Sequence, residues 1–228
     1  MDQEFDAAYE RLLSNGSVSA HHLDLWLPGS RGVVPWGVQR RWLREKAAPW
    51  WEALVARANR DGIVIHCFPG YPPDDTLYGI VAATASLLHP HTGMHFEFEP
   101  HGRERAIENW LQAGRRRWTV SPPSERDIEA DYARLREHGS IRALAFAHNF
   151  DRTRWPKWRP VRTWERRQAK PWFAGIVRQA RADRLPIVCY IDYTSDGSKT
   201  FCARAAVLDR RTGVELRSRL LSAPGLSR

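Results

Sequence analysis

Between Phe150 and Arg167 the chain interleaves cations with large aromatic rings. Arg152, Arg154, Lys157, Arg159, Arg162, Arg166 and Arg167 alternate with Trp155, Trp158 and Trp164. A guanidinium is a rigid fork that matches two phosphate oxygens, and an exposed ring stacks on an unpaired base for about 1–3 kcal/mol. The mixture suits single-stranded DNA or RNA better than a duplex, whose bases are already stacked. Arg115, Arg116 and Arg117 form a second cationic cluster.

The charge balance points the same way. The 228 residues carry a net +9. Residues 1–100 hold 8 Arg and Lys against 12 Asp and Glu, whereas residues 101–228 hold 27 against 14. A preference for arginine over lysine explains which cation is used, but not this asymmetry, and one-sided charge faces a polyanion. No apolar run approaches the roughly 18 residues of a membrane span. The acidic, amphipathic start MDQEFDAAYERLL is unlike a secretory leader, and three scattered cysteines make no disulfide framework. A cytoplasmic, globular protein is expected.

A different chemistry lies in His89-Pro-His91-Thr-Gly-Met-His95-Phe-Glu97-Phe-Glu99. Strand alternation puts His95, Glu97 and Glu99 on one face, where imidazole and carboxylate oxygen suit a divalent metal. The order Glu97-x-Glu99, then His148, then Asp192 resembles the three motifs of archaeo-eukaryotic primase-type polymerases. That resemblance implies metal on the acids and a nucleotide on the histidine. No G-x-S-x-G elbow or phosphate-cradling glycine loop occurs, and Cys67 and Cys189 read as small core hydrophobes.

The elements that must carry these residues occur twice. The segments PWWEALVARANRDGIVIHCF (49–68) and PWFAGIVRQARADRLPIVCY (171–190) align without gaps, matching Asp61 with Asp183 and Cys67 with Cys189. Residues 5–18 match 128–141, and 79–94 match 199–214 with Gly93 on Gly213. The chain therefore reads as two tandem copies, 1–101 and 124–228, with a basic linker over 102–123. Periodicity gives each copy one order, a helix followed by β-α-β-β-β. Gly16 caps the first helix, Pro49 interrupts the long one over 39–60, and strands are expected at 22–27, 63–68, 81–88 and 94–99. The fold class is α+β, with the copies related by a pseudo-twofold axis and a cleft between them as the natural ligand site.

Equivalences between copies refine the candidates. Trp42 with Trp164, and Trp50 with Trp172, recur at matched positions and read as structural, as does Trp36. Trp155 aligns with Val33, which marks it for ligand contact. Positions 95, 97 and 99 align with Glu215, Arg217 and Arg219, so Glu97 and Glu99 are also placed to pair with arginines across the axis.

The duplicated order, with Ala20-His21-His22-Leu23-Asp24-Leu25-Trp26-Leu27 as first strand and a glutamate on the last, resembles the vicinal-oxygen-chelate group. That resemblance implies a divalent metal between the halves, with His22, Glu97 or Glu99, and His148 as ligands. Three functions are thus expected in order: a nucleic-acid-binding protein without cofactor, part of a larger nucleoprotein or mobile-element complex; a metal-dependent enzyme; and a protein whose basic face meets an acidic protein partner.

Overall fold

The computed structural model of the chain describes residues 3–25, 34–70, 80–96, 121–147, 158–194 and 200–216. Helix α1 (Gln3–Asn15) buries Ala8, Tyr9 and Leu12 on one face and ends where Gly16 takes φ +76, its N–H donating to Leu12 O at 3.0 Å. Glycine enters this left-handed region at little cost, so the helix stops and the chain turns into β1 (Ser17–Asp24).

Helix α2 (Trp36–Trp42) runs through a π turn (Leu43–Ala47) into α3 (Ala48–Arg60). The sequence predicts a break at Pro49, and the π turn is its form. Proline has no N–H to donate and its ring crowds the preceding turn. The ladder widens by one residue just before it, with Ala48 N–H donating to Leu43 O. Strands β2 (Ile65–Gly70) and β3 (Ile80–Leu87) follow, and β3 pairs antiparallel with both β1 and β2.

The second set has the same order: α4 (Glu125–His138), β4 (Ser140–Ala147), α5 (Trp158–Trp164), a π turn (Glu165–Ala169), α6 (Lys170–Ala182), β5 (Ile187–Thr194) and β6 (Thr200–Val207). Its sheet runs β4-β6-β5 against β1-β3-β2 in the first. Details recur in both. Lys170 N–H donates to Glu165 O ahead of Pro171, and Gly139 caps α4 at φ +72. Bulges interrupt β1 between Ala20 and Leu23 and β4 between Ala143 and Phe146, with His21 and Leu144 at φ +51 and +53. Tyr9 and Tyr132 donate to Asp61 and Asp183, each at 2.7 Å.

One face of each sheet packs on its helices. Trp51, Leu54, Ile65, Cys67 and Ala85 sit in the first core, and Phe173, Ile176, Ile187, Cys189 and Ala205 in the second. The turn after each central strand leaves its own set and seals the other. Val214 belongs to the first core and Met94 packs against the second. Cys67 N–H donates to Gly213 O at 3.0 Å, and Cys189 N–H to Gly93 O at 2.9 Å. A third cluster of Leu88, Val188, Ala206 and Leu208 joins the two sets.

The strand expected at 94–99 is described only to Phe96, with a bridge from Leu88 to His95; its counterpart in the second set, described to Leu216, has a bridge from Leu208 to Glu215. Trp36, expected in the core, is 49 % exposed at the start of α2, with Arg40 stacked over its ring at 5.9 Å. No helix among the described residues is long and apolar enough to cross a membrane.

Candidate functional site

The basic segment enters the described structure at α5. Trp164 is 1 % exposed beneath Phe146, and Val161 and Ala169 are buried beside it. Burying that face turns Arg166 and Arg167 outward and leaves Arg162 half-buried. The matched π turn of the first set carries Arg44 and Glu45, ion-paired at 3.1 Å. The second set carries Arg166 and Arg167 there, and its acid, Glu165, lies 3.3 Å from Lys170, so each turn holds two cations and one acid. Arg159 lies on α5. Arg115, Arg116, Arg117, Arg152, Arg154, Trp155 and Lys157 lie outside the described residues. The repeated tryptophans are structural as expected: Trp42 Nε1 donates to His21 O at 2.6 Å, and Trp172 Nε1 to the buried Asp131 carboxylate at 2.8 Å.

Of the four proposed metal ligands only His22 is described, exposed on β1. Glu97, Glu99 and His148 lie outside the described residues, and those described contain no group of three ligating side chains. His95 has a partner that alternation within its own segment could not reveal. Its Nε2 is 2.8 Å from Nδ1 of His66 on β2, one ring nitrogen donating to the other, with Phe68 stacked on His95 and tilted against His66. Burial, and then the neighbouring His95, push His66 down to about 3, so the pair is neutral.

At the matching place in the second set the chemistry is ionic. Glu215 accepts from Tyr190 Oη and from Arg204, both at 2.9 Å. Asp192 lies 3.7 Å from Arg204 and 2.8 Å from Arg142. Burial first, and the Glu215 charge second, push the Tyr190 phenol well above its ordinary value. Asp192, the last member of the primase-like order, is therefore occupied by two arginines. The thiols of Cys67 and Cys189 are pushed up by burial alone and remain protonated hydrophobes.

A cleft of about 310 Å³ opens where the two sets meet. Val55, Asn59 and Val64 form one wall, while Arg181 and Arg184 from the end of α6 and Arg210 from the β6 turn form the other. Sequence reading placed a ligand site between the halves but did not find these arginines, which are scattered along the chain and converge only through the turn at 208–213. The chain matches no protein-family model, no curated protein and no solved structure.

Proposed function

We propose that the chain is two copies of one α+β unit related by a pseudo-twofold axis, and that the second, basic copy binds single-stranded nucleic acid in the cytoplasm, within a larger nucleoprotein complex. The observation that carries the reading is the outward face of the second π turn. Arg166 and Arg167 are exposed there, beside the buried Trp164, and continue the cationic run of residues 152–162. Burial of Trp164 supports it, because the anchored ring fixes the direction of its charged neighbours. The linker arginines and residues 152–159 extend the same charge in sequence.

Titrating a labelled single-stranded oligonucleotide against salt tests this. Each phosphate neutralised contributes a slope of about −0.7 in log affinity against log salt, so four to six contacts give roughly −3 to −4. Replacing Arg154 and Arg159 together by Ala flattens the slope by about 1 to 1.5. Trp155→Ala weakens binding at unchanged slope, because stacking releases no ions. Absence of binding at low salt, or heparin competing as well as oligonucleotide while Trp155→Ala binds normally, refutes the reading. Elemental analysis of the same sample addresses the divalent-metal alternative: stoichiometric metal lost in Glu97→Gln or Glu99→Gln favours the enzyme.

A further inference from the structure

The cleft between the two sets has an unbalanced wall. Arg181, Arg184 and Arg210 line it, and none of the three forms an ion pair with a carboxylate among the described residues. The acid that lines it, Asp209, is committed to its own turn. Its Oδ1 accepts from Arg211 N–H, Thr212 N–H and Thr212 Oγ1 at 2.8 to 3.0 Å. Three guanidiniums thus share a small cleft with one tethered carboxylate, against apolar Val55, Val64, Leu185 and Pro186.

The arginines are placed at a cost. Matched through the repeated turns, Arg181, Arg184 and Arg210 occupy the positions of Asn59, Gly62 and Pro90. Gly62 has φ +70, and Arg184 holds the same left-handed turn at φ +53. A side chain in that conformation is strained where glycine is not. Cations are favoured at a helix C-terminus, which accounts for Arg181 in the last turn of α6. It does not account for Arg184, beyond the helix end, or for Arg210 on a different element, whose Nη2 donates to Arg184 O at 3.0 Å and brings the two guanidinium-bearing residues together.

We infer that this cleft binds a phosphomonoester carried on an apolar or aromatic body, of the size of a nucleoside monophosphate. Guanidinium forks match the dianion. The apolar wall takes the body, and the volume lies at the small end of ligand sites. The phosphomonoester belongs either to a free nucleotide or to the phosphorylated end of a strand. The site shares no residue with the 152–167 segment and does not depend on the nucleic-acid reading.

Calorimetric titration of the full chain with adenosine monophosphate, adenosine and inorganic phosphate is the test. The monophosphate binds at least about tenfold tighter than either fragment, and Arg210→Gln weakens it about tenfold or more. Arg184→Gly removes a guanidinium and relieves the strained turn, so it loses affinity by a similar factor while its urea midpoint holds or rises. Trp155→Ala leaves monophosphate binding unchanged, which separates this site from the oligonucleotide surface. A 5′-phosphorylated oligonucleotide that outbinds its 5′-hydroxyl twin, with the difference abolished by Arg184→Gly, assigns the strand end; equal binding of the twins alongside tight monophosphate binding assigns the free nucleotide. Adenosine binding as tightly as the monophosphate, no monophosphate binding at millimolar concentration, or affinity indifferent to both arginine variants overturns the inference.

Discussion

The backbone N–H of Cys67 donates to the carbonyl oxygen of Gly213 at 3.0 Å, so a strand of one half is completed by a turn of the other. The turn can approach this closely because Gly213 has no side chain and sits at φ +69; a Cβ there would lie 2.9 Å from Val55 Cγ2 and 3.1 Å from Cys67 Sγ. At Gly93 the corresponding contacts are 3.0 Å to Val177 Cγ2 and 3.3 Å to Cys189 Sγ. Gly213→Ala combines left-handed strain with overpacking and should cost about 2–4 kcal/mol. Gly93→Ala should cost less, because its neighbours stand farther off. Urea unfolding of both variants reads the order; a neutral Gly213→Ala would show that the turn does not seal the core.

The neutral His66–His95 pair makes stability depend on acid. An unfolded histidine takes a proton near pH 6.5, whereas buried His66 resists until about 3. Between those values the unfolded chain binds the extra proton, so stability is full above pH 6.5 and falls as pH drops toward 3. The loss attributable to His66 from pH 8 to pH 5 is about 2 kcal/mol. His66→Phe keeps a ring against Phe68 and should flatten that part of the profile in denaturant titrations at each pH. An unchanged acid slope in the variant would assign it to other groups.

Glu215 ties Tyr190 to Arg204 where the first half has His95, Phe68 and Thr84. Its side chain is 15 % exposed and that of Arg204 25 %, so the pair is only partly screened. Glu215→Gln should destabilise by about 1–2 kcal/mol, with Arg204 keeping Asp192. A double-mutant cycle with Arg204→Met should return a coupling of the same order. Coupling near zero would mean that solvent already satisfies both groups.

Much of this fold is written locally. Gly16 and Gly139 stop helices because only glycine enters the left-handed turn cheaply, and Pro49 and Pro171 mark the π turns because each lacks the N–H that an α ladder requires. The buried positions of Cys67 and Cys189 follow from the short apolar runs around them. The exchange of turns was not legible. Nothing in Thr92-Gly93 or Thr212-Gly213 says whose strand the glycine carbonyl will meet, since that choice is made by long-range packing. His66 was hidden for the same reason: it looks like one polar residue on an apolar strand until His95 arrives from across a turn. Trp36 misled because a large ring reads as core, whereas here Arg40 covers it at the surface.

The exchanged turns also predict what happens when the halves are separated. Val214 lies in the first core and Met94 packs on the second, while Leu88 and Leu208 share a cluster drawn from both halves. Alone, either half loses the turn that pairs with its edge strand at the backbone N–H of Cys67 or Cys189, and the cluster of Leu88 with Val188, Ala206 and Leu208 is split. An unpartnered strand edge beside exposed apolar surface favours aggregation or loose packing. Arg211 also loses Glu52, 2.9 Å away across the seam, though an exposed pair contributes only about 0–1 kcal/mol, so apolar packing dominates. Residues 1–100 or 121–228 produced separately should therefore bind a hydrophobic dye and unfold without a sharp transition. Mixed together, or cut from the whole chain between 97 and 120, they should run as one species and unfold in a single cooperative step. Two independently cooperative halves that ignore each other in a sedimentation experiment would show that the exchanged turns are incidental to the fold.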